Sequence, residues 1–169
     1  MAIRKLLLPL QTTATAEPAL AAALMVAQSW CAHLAVLHVA ADGSRESAVR
    51  ALFDRFAAAQ GLPVAEPSPA AGHVTASFIA IAGREADNVA YQARLADLTV
   101  VPHPTSGEDV SSSDALHAVL FDSGQPVLIA PHEAPTTVGT RICLGWNGSA
   151  ESASVVLAAI PWLQRAEAV

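Results

Sequence analysis

The stretch Lys5-Leu6-Leu7-Leu8-Pro9-Leu10 decides how the chain reads. It is short, continuous and apolar, the pattern of a parallel strand buried on both faces. Polar Gln11-Thr12-Thr13 ends it. Across residues 15–31, Leu20, Ala23, Leu24, Ala27 and Cys31 recur at helical spacing, and Pro18 falls in the first turn, where its missing N–H costs little. Residues 34–40 read as a second strand. The unit then repeats its alternation downstream. Asp42-Gly43-Ser44 opens a helix with Ser44 as N-cap, Val49, Leu52, Phe53, Phe56 and Ala57 form its buried stripe, and Gly61 stops it. Residues 62–72 carry three prolines, Pro63, Pro67 and Pro69, and read as a loop. Residues 73–79 alternate, with Val74, Ala76 and Phe78 inward and His73, Thr75 and Ser77 on a less buried face, as at a sheet edge. A helix at 84–95 follows, with Ala86, Val89, Ala90 and Ala93 on one side. Then come a strand at 97–101, a loop at 102–110, a helix at 112–121 and a strand at 126–130. Strictly alternating strands and helices predict an α/β fold: an open, five-stranded parallel sheet with helices on both faces, Rossmann-like.

Composition agrees. The 169 residues are 53% hydrophobic and only 14% charged, which excludes disorder. A net charge of −6, with nine Lys+Arg scattered along the chain, excludes the basic stripe of a nucleic-acid binder. No apolar run approaches the roughly 18–20 residues needed to cross a bilayer. Arg4-Lys5 and Leu6-Leu7-Leu8 could open an export signal, but Gln11 to Thr15 and Glu17 interrupt the apolar region it requires. The expectation is a cytoplasmic protein without a membrane partner. Cys31 and Cys143 lack metal or redox spacing and read as buried small hydrophobes in a reducing compartment.

Residues 132–140 read as a linker, after which the chain begins again. Arg141-Ile142-Cys143-Leu144-Gly145-Trp146 stands opposite Lys5-Leu6-Leu7-Leu8-Pro9-Leu10. Ala150-Glu151 with Ala153 stands opposite Ala16-Glu17 with Ala19, and Ala166-Glu167 opposite Ala32-His33. The helix offset is two residues shorter than the strand offset, an insertion in the first copy. The expected organisation is an α/β domain at 1–131, a linker at 132–140, and the first strand and helix of an incomplete second copy at 141–169.

This layout resembles the universal stress protein family in its tandem-domain form, with the second domain truncated. Ile142-Cys143-Leu144-Gly145-Trp146-Asn147-Gly148-Ser149 is similar to the family's first strand and turn. Leu37-His38-Val39 is similar to the end of its second strand, and Ala96-Asp97-Leu98-Thr99-Val100-Val101 to its fourth. Ser123-Gly124-Gln125-Pro126-Val127-Leu128-Ile129 is similar to its turn and fifth strand, and Ala159-Ile160-Pro161-Trp162-Leu163 to the start of second domains. The resemblance implies strand order 3-2-1-4-5, a ligand crevice between strands one and four, and a fifth strand on an edge that needs a cover.

Many members of that family bind ATP with an Asp after strand one and a glycine-rich run after strand four. Glycines let backbone N–H groups approach phosphates at a helix N-terminus. Here the loop after strand four is about two residues shorter than the family pattern. Pro102, Thr105 and Ser113 stand in place of the glycines, and Gln11 in place of the Asp. Glu108, Asp109 and Asp114 add negative charge beside the phosphate position. The residues left for a degenerate nucleotide pocket are Gln11, Val39, His103 and Ser113, with ATP as its possible cofactor.

The reading is therefore a stress-response binding and dimerisation module without catalysis, whose first domain does not bind ATP. It self-associates through the strand-five edge and the 141–163 fragment. The alternatives are an atypical ATP-binding protein, up to a slow ATPase, and a small metal-dependent enzyme using His103 and His132. Two histidines fall short of the usual three or four ligands, so no metal site is assigned. His38 reads as a satisfied core histidine. Ser111-Ser112-Ser113 read as helix caps rather than nucleophiles, and Gly148-Ser149 as a helix start. Trp30, Trp146 and Trp162 read as core or interface.

Overall fold

A computed structural model describes residues 3–40, 45–67, 72–103 and 110–169, the side chains of 110–113 excepted. It separates into two compact units, Ile3–Pro135 and Thr136–Val169.

The first unit runs β1 (Lys5–Pro9), α1 (Ala16–Trp30), β2 (His33–Ala40), α2 (Glu46–Ala59), β3 (Thr75–Ala82), α3 (Glu85–Ala93), β4 (Leu98–Val101), α4 (Val110–Asp122) and β5 (Val127–Ile129). All pairings are parallel, in the order β3-β2-β1-β4-β5. The apolar run that opened the reading is the middle strand, and Leu6, Leu7 and Leu8 have no exposed surface. Successive side chains of a strand point to opposite faces. Leu7, Ala35, Leu37 and Val39 accordingly pack with Val89, Ala90 and Ala93 of α3 and Ala115, Ala118 and Val119 of α4. Leu34 and Val36 alternate with them and are equally buried.

Asp97 sets the register of β1 against β4. Its carboxylate oxygen accepts the amides of Arg4 at 2.8 Å and Lys5 at 3.0 Å, while its own N–H donates to the Lys5 carbonyl at 2.9 Å. On β4 itself, Thr99 is fully buried and its hydroxyl has no partner among the described residues. An unmade buried hydrogen bond costs the desolvation of the group. Thr99→Val removes the hydroxyl and keeps the branched shape. It should stabilise the protein by about 1 kcal/mol and raise the melting midpoint by roughly 2–4 °C in calorimetry. A lowered midpoint would show that the hydroxyl is satisfied in solution.

The edge at β3 departs from expectation. Thr75 and Ser77 are buried, not on a wetter face, because the His33 ring on β2 lies against both hydroxyls. Residues 62–66 are more than a loop. The Ala76 N–H donates to the Pro63 carbonyl at 2.9 Å and the Ala65 N–H to the Ala76 carbonyl at 2.8 Å, a single parallel bridge through Val64. This strap caps the outer edge of β3 at one point. Gly61 ends α2 with φ +59°, a backbone conformation glycine adopts without strain. The expected Ser44 cap and the Ser111-Ser112-Ser113 caps lie outside the described side chains.

The cysteines are also corrected: Cys31 and Cys143 are both exposed. Cys31 follows α1 in the left-handed region at φ 52°, its N–H closing the helix on the Ala27 carbonyl, so its side chain projects at a helix end instead of into the stripe.

The second unit centres on α5 (Ala150–Leu163). Ser149 caps it, accepting the Ser152 amide at 3.1 Å, and the Asn147 side chain in turn accepts the Ser149 amide at 3.0 Å. The Glu151 carboxyl is held below its ordinary value by its own backbone N–H and by Ser149. Residues 141–146, expected as a strand, form one parallel bridge, Arg141 with Ala168, and no longer ladder. The Glu167 N–H donates to the Thr140 carbonyl at 2.8 Å, as the His33 N–H donates to the Arg4 carbonyl at 2.8 Å in the first unit. A two-stranded pairing alone is marginal, and residues 141–146 meet only Ala168 across their single bridge. At Gly139, φ +75°, an added Cβ would sit 2.6 Å from the Trp162 ring, so the edge of the indole comes up against the glycine. Trp146, expected in core or interface, is 63% exposed.

Candidate functional site

In an open parallel sheet, the crevice lies beyond the C-terminal ends of the strands where the crossover direction reverses. Here that is between β1 and β4. Three segments meet at this end: Leu10-Gln11 after β1, His38-Val39 at the end of β2, and Pro102-His103 after β4.

The first two are tied together tightly. The Leu10 N–H donates to the Leu37 carbonyl at 2.8 Å, and His38 Nδ1 donates to the Leu10 carbonyl at 2.9 Å. His38 is thus the satisfied core histidine that was expected. Gln11 folds back across the gap, its Oε1 accepting the Val39 N–H at 3.2 Å. Gln11 is buried, and its Nε2 has no partner among the described residues. The structure therefore brings Gln11 and Val39 together, as the pocket required, but it uses the Val39 amide internally. A ligand wanting that amide must first displace a side-chain carbonyl already bonded to it.

Past β4, Pro102 is buried and His103 is half-buried. Across from it, the Ala130 N–H donates to the Val101 carbonyl at 2.8 Å, which carries the chain after β5 alongside. The His103 and His132 rings stack at a centroid distance of 3.8 Å, tilted by 36°. Among the described residues, no group of three or more His, Cys, Asp and Glu gathers around a common centre. Thr105, Glu108, Asp109 and the side chain of Ser113 lie outside the described residues; Asp114 is exposed.

At the opposite end of the sheet stands a residue the sequence reading passed over. His33 is 5% exposed, with Nδ1 2.8 Å from Thr75 Oγ1 and Nε2 2.9 Å from Ser77 Oγ. Burial first, and then the Lys5 charge, push its pKa below the ordinary histidine value, while Glu66 opposes them. The available signal was a histidine opening β2 against hydroxyls spaced two apart on the next strand.

No family model matches the chain, and no curated protein matches it. Solved structures do. A universal stress protein crystallised in complex with cAMP superposes with a TM-score of 0.58 at 18% identity, covering 79% of this chain and 100% of that one. A protein of the universal stress protein family from Burkholderia pseudomallei gives 0.50 at 22% identity, covering 76% and 96%. A functionally unknown protein from Pseudomonas aeruginosa PAO1 gives 0.57 at 17% identity, covering 99% of this chain but 59% of its own. Together with the strand order, these likenesses define the fold: the Rossmann-like α/β fold of universal stress proteins.

Proposed function

We propose that this chain is a universal-stress-type binding and assembly module of the cytoplasm, without catalysis of its own, and that its first unit does not take ATP. The carrying observation is the 3.2 Å bond from the Val39 N–H to Gln11 Oε1, which closes the end of the crevice with the chain's own side chain. The residues after β4 support the same reading. Buried Pro102 has no N–H to offer a phosphate and stands where the family pattern has glycine.

A tandem architecture belongs to the same proposal. The Glu167–Thr140 bond repeats the His33–Arg4 bond at the offsets of the sequence duplication, and the Pseudomonas aeruginosa protein aligned with nearly all of this chain is longer. Self-association is supported by apolar surface: Ile129 on the β5 edge is 44% exposed, and Val155 and Leu157 on α5 are 63% and 69% exposed.

One observation favours a second reading, an atypical nucleotide site. Gln11 Nε2 is a buried donor without a partner among the described residues, and a universal stress protein of the same fold has been crystallised with cAMP. Calorimetric titration of Mg-ATP at near-physiological salt separates the two. No heat up to about millimolar ATP is expected, a binding free energy weaker than about −4 kcal/mol. Micromolar binding would overturn the first reading and install the second. Light scattering of the same samples should give a dimer or larger. A monomer at every concentration would remove the assembly half.

A further inference from the structure

We propose that His33 is an acid-sensitive latch on the outer edge of the sheet: the neutral ring fastens β2 to β3 and keeps the strap seated on Ala76, and protonation releases both. This site lies at the opposite end of the sheet from the crevice and is independent of the reading given above.

The geometry requires a neutral ring. One nitrogen of a neutral imidazole donates and the other accepts, so one hydroxyl of the Thr75–Ser77 pair accepts and the other donates. A protonated ring has only donors. The hydroxyl that donated must then turn away and find another acceptor, in a place with almost no water. The ring spans a sequence separation of 42 to Thr75 and 44 to Ser77, so it is a long-range fastening of an edge strand. Beyond β3, the strap holds by the two bonds at Ala76 and so depends on β3 staying in place.

The charged surroundings are few. β1 brings Lys5, paired in register with His33, and the segment after the strap brings Glu66. Asp97 lies at the same end of β1, bonded to the Arg4 and Lys5 amides. α1 carries no charge beyond Glu17 in its first turn. α2 places Arg50 over the Phe78 ring at 5.1 Å and 3.9 Å from Asp54. Glu85 and Asp87 open α3, past the far end of β3, and Arg94 bonds the Asp122 carbonyl. β3 offers the ring only hydroxyls. The sign follows: a histidine with a folded value below its unfolded one stabilises fully at high pH, and that stability falls as pH drops below the unfolded value.

Amide hydrogen exchange of the full chain tests this. Between about pH 7.5 and about pH 5.5, after correction for intrinsic rates, protection of the Ala65 and Ala76 amides should fall by up to about tenfold. At the lower pH these two should exchange through an opening that low urea does not accelerate, unlike Leu10 and Ala130. His33→Gln should abolish the acid-dependent part. An equal fall in His33→Gln, or protection at Ala65 and Ala76 matching that of Leu10 and Ala130 at acid pH, overturns the proposal. Should the variant not fold, the ring resonances of His33 in the wild-type chain decide: titration at or above the ordinary histidine value of about 6.5 ends it.

Discussion

Phe53→Ala should lower the unfolding free energy by about 3–5 kcal/mol, a large share of the roughly 5–15 kcal/mol that holds a domain of this size together. Phe53 sits in the middle of α2 with no exposed surface. Its ring meets Phe78 of β3 at 5.6 Å between centroids, tilted by 38°, the offset arrangement that aromatic pairs prefer. Truncation leaves a void under α2 that neighbouring small side chains cannot fill, so lost transfer energy and a cavity term add. The melting midpoint should fall by roughly 6–20 °C. A loss below about 1 kcal/mol would mean that α2 collapses onto the sheet without cost, and that the helix is less fixed than its packing suggests.

Deletion of residues 136–169 should have the opposite outcome. Every buried apolar side chain of the described residues lies between Ile3 and Ala130, and α5 buries none of its own. The shortened chain should unfold cooperatively with a midpoint within about 4 °C of the full chain. Residues 136–169 as a separate peptide should show no cooperative transition, since one helix and one bridge cannot offset the entropy of ordering them. Circular dichroism on the two pieces checks both. An unfolded 1–135 chain would show that the first unit needs more than its own core.

The apolar run at residues 5–10 was legible because a middle strand of a parallel sheet is buried on both faces and needs no other signal. The Asp97 side chain was legible only as a motif; its work on the Arg4 and Lys5 amides is visible in three dimensions. The exposed faces misled the reading where a polar residue found a distant partner. Thr75 and Ser77 alternate as if for water, yet His33 lies against them from the adjacent strand. Cys31 completes a helical stripe by spacing, but its backbone leaves the helix there. The 141–146 segment has a strand's composition without the neighbours that make a ladder. Of the candidate site residues, Gln11 and Val39 lie together, and nothing in the sequence told that they bond to each other.

Periodicity and punctuation act over a few residues, and they determined the element order and the parallel α/β class. Strand order 3-2-1-4-5 came from a resemblance and was established by the pairing itself. Only the tertiary structure decided which polar groups meet: Gln11 with Val39, His103 with His132, and His33 with Thr75 and Ser77. Hydrogen bonds and ring contacts act over a few ångströms in space and are not fixed by local patterning, so residues far apart in the chain meet their partners only once the sheet has brought them together.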